Sequence, residues 1–304
     1  MRIVVGADLA SLRLDDDLLV HADAADVLPL LPANAFTLIA IDPPFNTGRR
    51  QELRAVRATQ VPDATTAGFG GRPYRLQTLS RHSYEDTFDD YLGFMRPFLT
   101  HAHRLLNERG SLYIHLDARE AHYVKVALDE IFGRSCFLNE IIWAYDYGGK
   151  SKSRWPAKHD TILVYVKDRT RFHFDSDAVD REPYMAPGLV TAEKAARGKL
   201  PTDVWWHTIV PTNGRERTGY PTQKPEGIVR RMVTASSAPG DWCLDFFAGS
   251  GTLGAVAGAL GRRYVCVDRN PEAITIASAR LEPLPLSDQM LKRSDGDADN
   301  KVQV

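Results

Sequence analysis

The chain has 304 residues, 43% hydrophobic and 25% charged, with a net charge of −1. That composition excludes disorder throughout and allows one or two domains. Three cysteines (Cys136, Cys243 and Cys266) in no CxxC pair exclude a disulfide framework and a cysteine zinc site, so no metal is expected.

The opening residues are interrupted by Asp8 and by Asp15, Asp16 and Asp17, which is unlike a signal peptide. No apolar stretch approaches about 18 residues, so no membrane span is expected and the chain reads as soluble and cytoplasmic. The apolar run 36–41 stops at Asp42-Pro43-Pro44 and is predicted to be a buried parallel strand. Residues 46–82 mix glycines, prolines and arginines and read as a mobile loop. Helical spacing follows over 89–106, then a strand at 111–116 and a helix over 119–132 that ends near Gly133. Another β-rich run spans 161–166, and 175–203 shows no clear pattern. The last third predicts a helix at 225–235, a strand at 241–246, a helix at 251–260, a strand at 263–268 and a helix at 271–281. Residues 284–304 read as a polar tail. Strands alternating with helices imply an α/β fold, a mostly parallel sheet covered on both faces.

Charge is unevenly placed. Residues 1–45 carry two Arg and seven Asp, whereas 49–82 carry seven Arg against Glu52 and Asp63. Residues 147–174 carry seven Lys or Arg against Asp160 and Asp168. Such runs are often only solvated faces. His101 and His103 point apart on a helix and read as ordinary surface and core histidines.

Two motifs carry chemistry. The strand ending at Phe246 leads through Phe247-Ala248-Gly249-Ser250-Gly251 into a helix, a turn at which the backbone can approach a ligand. The next strand ends in Asp268, placed to accept from both ribose hydroxyls of a nucleoside. The spacing is FxGxG rather than GxGxxG, so a nucleoside cofactor without a diphosphate fits better. The second motif, Asp42-Pro43-Pro44-Phe45, follows a strand at its carboxyl end, where open α/β sheets bind ligands. Asp42 and the Pro43 carbonyl offer two acceptors for the two hydrogens of an exocyclic amine. Phe45 offers a face for a base. Alone, each motif could also be a tight turn or a strand stop.

Together these motifs resemble the amino-group DNA methyltransferases, which methylate N6 of adenine or N4 of cytosine. Asp42-Pro43-Pro44-Phe45 lies about 200 residues before the glycine motif, the order of the β class. The stretches Ile41-Asp42-Pro43-Pro44-Phe45-Asn46-Thr47-Gly48, Tyr113-Ile114-His115-Leu116-Asp117, Asn139-Glu140-Ile141-Ile142-Trp143 and Arg217-Thr218-Gly219-Tyr220-Pro221-Thr222-Gln223-Lys224-Pro225 agree, and the resemblance covers roughly residues 18–283.

The resemblance implies a Rossmann-like methyltransferase fold and S-adenosylmethionine as cofactor. Asp42, Pro43, Pro44 and Phe45 would be catalytic. Asp245 and the turn Phe247, Ala248, Gly249, Ser250 and Gly251 would hold the methionine end, and Asp268 the ribose. Asp23, followed by Ala24, would reach the cofactor adenine, and Thr222 and Lys224 would close over the methionine carboxylate. Phe45 stands where Tyr is commoner, Phe246 where Pro is commoner, and Ala22 where Gly is commoner. The catalytic domain would comprise 18–145 and 212–283, with a target-recognition region at 146–211. Arg49 and Arg50, with Lys150, Lys152, Arg154 and Lys158 around Trp155, would then contact DNA phosphates.

The expected activity is methylation of adenine N6 in double-stranded DNA by direct transfer to a flipped-out base. N4-cytosine methylation is the nearest alternative, and a non-catalytic DNA-binding protein on the same fold a remote one. The β-class resemblance also implies a homodimer and allows a cognate restriction endonuclease and association with the nucleoid.

Overall fold

The computed structural model describes residues 1–48, 51–60, 66–67, 73–84, 86–148, 150–211 and 214–282. In chain order the elements are β1 (Arg2–Val5), β2 (Leu18–His21), α1 (Ala24–Val27), β3 (Phe36–Ile41), β4 (Gln51–Gln60), β5 (Thr66–Ala67), β6 (Pro73–Tyr84) and α2 (Tyr91–Leu105). Then come β7 (Leu106–Leu116), α3 (Ala121–Phe132), β8 (Phe137–Ala144), β9 (His159–Val166), α4 (Ala192–Arg197) and β10 (Val204–Trp206). The last third adds α5 (Glu226–Ser236), β11 (Trp242–Asp245), α6 (Thr252–Ala259), β12 (Arg263–Asp268) and α7 (Pro271–Leu281).

Nine strands form one sheet in the order β1-β2-β12-β11-β3-β7-β9-β8-β10. Neighbours run parallel except around β9, which is antiparallel to both β7 and β8. The expected mostly parallel α/β fold is therefore present.

Strand alternation explains the two covered faces. Ile39 and Ile41 pack into a core shared with Met95 and Leu99 of α2 and Leu128 of α3. Leu38 and Ala40 point the other way, into a core shared with Met232 of α5, Val256 of α6 and Ala277 of α7. Cys243 and Cys266 lie fully buried in the second core, and burial pushes the Cys243 thiol up to about 12. Both behave as small hydrophobes. No described helix is long and apolar enough to cross a membrane.

Helix ends follow local chemistry. Asp90 caps α2 by accepting from the Gly93 N–H, and Asn270 caps α7 by accepting from Glu272, with Pro271 in the first turn. α3 stops at Gly133, whose φ of 86° is the conformation glycine supplies.

Several sequence expectations change. Residues 46–82 are not simply a loop: β4 and β6 pair antiparallel along their length, and β5 adds to β6 in a separate three-stranded sheet. A ribbon of this kind satisfies its backbone through its own ladder, without the apolar alternation that signals a strand. Within the target-recognition region expected at 146–211, β9 lies between β7 and β8 and β10 extends the sheet beyond β8. The strands β1, β2, β8 and β10 carry too weak a pattern to be read from sequence. The expected tail 284–304 lies outside the described residues.

Candidate active site

The sheet order brings distant sequence together. β11 pairs with β3, placing Leu244 beside Ile39, and β3 pairs with β7, placing Ile41 beside Ile114. One residue further along each strand, Asp42 and His115 emerge side by side. The carboxyl ends of β12, β11, β3 and β7 therefore present Asp268, Asp245, Asp42 and His115 in a row. All four line one pocket, together with Asp23, Ala24, Pro43, Pro44, Phe45, Thr222, Lys224, Phe247, Ala248, Gly249 and Ser250. Of the expected catalytic and cofactor residues, Gly251 is outside the lining. It shapes the turn instead, as the left-handed N-cap of α6 with φ of 71°.

Asp42 has two nitrogen partners, an imidazole and an ammonium. His115 Nδ1 lies 2.7 Å from its Oδ1, and Lys224 Nζ lies 2.5 Å from its Oδ2. Burial pushes the carboxyl up, but Lys224 and His115 outweigh it and hold the acid below its ordinary range. Lys224 was expected over a cofactor carboxylate; here its ammonium pairs with Asp42 and donates to the Thr222 carbonyl at 3.3 Å. Phe45 sets its ring edge-to-face with His115, centroids 5.1 Å apart, and Lys224 Nζ stands 5.3 Å from its centroid.

The backbone of this turn is tied from outside. Tyr91 donates its hydroxyl to the Pro44 carbonyl at 2.7 Å. Asn46 adopts a left-handed φ of 54°, which Asn tolerates. Its N–H donates to Asp86, its amide donates to Glu120, and its side-chain oxygen accepts from Phe88 N–H. Two prolines and these bonds leave the Pro43 carbonyl and Asp42 little freedom.

The glycine turn is built for close approach. Gly249 has φ of 50°, and a Cβ there would lie 3.0 Å from the Tyr220 ring. Gly249 N–H donates to Asp268 Oδ2, and Asn270 N–H donates to Oδ1, both at 2.8 Å. Each oxygen of Asp268 retains further acceptor capacity toward the pocket. Burial raises its pKa against these two bonds. Asp245 accepts from Phe247 N–H at 3.0 Å, and burial, with Asp42 and Asp268 nearby, pushes it up to about 8. Asp23 accepts from Ala25 N–H as the N-cap of α1 and lies 3.4 Å from Arg269. Acids at and just beyond the strand ends, with close backbone access beside them, suit a nucleoside ligand that offers hydroxyl and amine donors.

The basic candidates divide. Arg49 and Arg50 lie outside the described residues. Lys150, Lys152 and Arg154 are exposed on the loop between β8 and β9, and Trp155 there is 95% exposed. This loop rises at the same end of the sheet as Asp42, since β8 runs parallel to the strands that carry the site. Lys158 is less free, with its ammonium 3.8 Å from Asp146 and 3.4 Å from the Gly148 carbonyl.

Sequence reasoning missed His115, Trp143 and Tyr220 as pocket-lining groups, and Asp160 behind them. His115 stood in a quoted stretch, but only the β3–β7 register reveals its partner. Trp143 and Asp160 face each other across the β8–β9 pair.

The sheet order and the paired turns define a Rossmann-like methyltransferase fold. The N6/N4 DNA methylase family, described as DNA methylase, matches residues 36–279, so the chain belongs to that family of DNA amino-methyltransferases. The chain is 31% identical over 272 residues to DNA adenine methyltransferase YhdJ of Escherichia coli K12, covering 87% of this chain and 82% of that protein. It is 30% identical over 292 residues to the type II methyltransferase M.HpaI of Haemophilus parainfluenzae, covering 94% and 82%. Among solved structures, the cytosine-N4-specific PvuII DNA methyltransferase superposes with a TM-score of 0.60 at 15% identity, covering 90% of this chain and 89% of that one. The M1.HpyAVI–SAM complex superposes at 0.55 with 19% identity, covering 87% and 98%.

Proposed function

We propose that this protein methylates N6 of adenine in double-stranded DNA, using S-adenosylmethionine and direct transfer to a flipped-out base. One observation carries the reading: Asp42 and the fixed Pro43 carbonyl share a pocket with the Asp245–Asp268 cofactor turn. S-adenosylmethionine supplies an electrophilic methyl group, and the cradle at Gly249 with its flanking acids fits its nucleoside and cationic parts. In this reading Asp268 accepts from the ribose hydroxyls, and Asp245 with the Phe247–Gly251 turn holds the methionine end. Asp23 takes the cofactor adenine amine, and Thr222 and Lys224 close over the carboxylate. For Lys224 that requires leaving Asp42, which then becomes available to the target amine.

Asp42 and the Pro43 carbonyl orient the amine lone pair and stabilise the positive charge that grows on nitrogen, while Phe45 stacks on the base. The base must leave the duplex to reach them. Lys150, Lys152 and Arg154 supply phosphate contacts. The 31% identity to a protein named as an adenine methyltransferase supports adenine. The fold match to a cytosine-N4-specific enzyme keeps cytosine as the alternative. A homodimer and a cognate endonuclease belong to the same proposal.

The test is incubation with methyl-labelled cofactor and DNA of mixed sequence, followed by digestion to nucleosides. Label in N6-methyl-2′-deoxyadenosine is the expected result. Label in N4-methyl-2′-deoxycytidine moves the assignment to cytosine, and no label in DNA defeats the reading.

A further inference from the structure

Beyond the motif residues, the pocket holds a buried histidine wedged between two carboxylates. His115 is 5% exposed, with Nδ1 2.7 Å from Asp42 Oδ1 and Nε2 facing Asp160 Oδ2 at 3.3 Å without hydrogen-bond geometry. Its ring is fixed on two further sides. Phe45 meets it edge-to-face, and Trp143 lies tilted against it with centroids 5.4 Å apart. These supports are themselves anchored: Trp143 donates Nε1–H to the His207 carbonyl at 2.7 Å, and Tyr145 donates its hydroxyl to Asp160 Oδ1 at 3.2 Å. A buried, multiply held imidazole aimed at a catalytic carboxylate is an orienting group.

We infer that His115 is a positioning residue for Asp42: it occupies Oδ1, so that Oδ2 is the oxygen offered to the target amine, while Phe45 and Trp143 pack its ring in that orientation and the Asp160 carboxylate faces its other nitrogen. The inference rests on the methyl-transfer reading above. A free carboxylate rotates and can offer either oxygen. With Oδ1 occupied, rotation would break a short charge-assisted hydrogen bond. Oδ2 is the oxygen that Lys224 already meets at 2.5 Å, so a cationic nitrogen is accommodated there. A nitrogen acquiring positive charge during methyl transfer makes the same demand.

His115 acts on Asp42 electrically as well. The groups facing the pair are Lys224 ahead of α5, Asp160 on β9, Tyr145 after β8, Asp245 at the end of β11 and Tyr91 on α2. Among these His115 and Lys224 lower the Asp42 pKa, and Asp42 and Asp160 raise that of His115 against burial and Lys224. Removing the imidazole should therefore let Asp42 take a proton at higher pH.

Two measurements test this on the full chain. In single-turnover methyl transfer, His115→Ala is expected to lower the rate on the order of 10- to 100-fold with cofactor affinity little changed. The acidic limb of its pH–rate profile should move to higher pH. His115→Asn, whose amide can still donate to Oδ1, should recover part of the rate, and Asp160→Asn should fall between it and the unmutated protein. Independently of turnover, nitrogen NMR of the His115 ring should show titration at lower pH in Asp42→Asn than in the unmutated protein. Wild-type rate and an unshifted acidic limb in His115→Ala overturn the inference, as does a His115 titration indifferent to Asp42→Asn. If His115→Ala does not fold, His115→Asn and the NMR comparison decide. If the unmutated protein labels no DNA, the methyl-transfer reading fails, and the NMR arm alone judges the contact.

Discussion

Asp42 and Asp245 are two acids in one pocket whose surroundings push their pKa values in opposite directions. Asp42 is held low by Lys224 and His115, so it stays an acceptor at neutral pH. Asp42→Ala removes that acceptor and is expected to lower methyl transfer about 100-fold or more while leaving the cofactor acids in place. Comparing single-turnover rates with calorimetric cofactor affinity checks both halves, and near-normal turnover would refute the role. Asp245 is the opposite case, raised from 3.8 to about 8, first by burial. A folded-state pKa above the unfolded one gives stability that is complete below about pH 4 and is lost as pH climbs toward 8. Asp245→Asn removes that loss, so its stability gain over the unmutated protein should grow from pH 5 to pH 8. Urea unfolding at both pH values measures it, and a gain independent of pH would contradict the buried-acid account. At this scale the sequence was informative wherever function sits in consecutive residues. Asp42 through Phe45 and Phe247 through Gly251 could be read because rigid turns need adjacent prolines or glycines. His115 could not be assigned a role, because its partner Asp42 is a neighbour only through strand register.

The elements show where pattern suffices. β3, β11 and β12 are short apolar runs closed by Asp-Pro or Gly signals, and α2, α3 and α7 have strong caps or stops, so all were legible. β4 and β6 were not, since their pairing is a ladder between two backbones and the arginine- and polar-rich runs 51–60 and 73–84 carry no apolar core pattern. β9 was legible as a strand, but its place inside the main sheet was not, because antiparallel insertion is decided by its neighbours β7 and β8. Packing between α6 and β12 makes a sharper claim. A Cβ at Gly254 would lie 2.8 Å from Cys266 Sγ and 2.9 Å from Leu281 Cδ2, so the helix rests on the strand with no room for a side chain. Gly254→Val should cost roughly 1–3 kcal/mol through overpacking. Thermal and urea unfolding would report it, and an unchanged midpoint would mean that α6 can shift away freely. Nearby, Arg280 donates to Thr252 Oγ1 and to Glu226 Oε1, tying α7 to α6 and α5 around the same turn.

For the whole molecule, a net charge of −1 gives no general attraction to DNA. Any attraction must come from local clusters, such as the exposed Lys150, Lys152 and Arg154 beside Trp155. Replacing these three with Ala should weaken binding to cognate and unrelated duplexes alike and flatten the salt dependence by up to about 0.9 per lost contact. Lys158 is left out because Asp146 and the Gly148 carbonyl already engage it. Affinity measured against salt for both proteins separates a DNA face from a merely solvated one, for which neither slope moves.

The sheet order has a consequence for synthesis. β11 and β12, near the end of the described chain, lie between β2 and β3, which are made near its beginning. A nascent chain on the ribosome that has released everything through β10 still lacks the two strands joining its halves. Its central apolar strands must wait, unpaired on one edge, for the last helices and strands to emerge. The interval before β11 and β12 arrive is when the open edges of β2 and β3 are most exposed to edge-to-edge association.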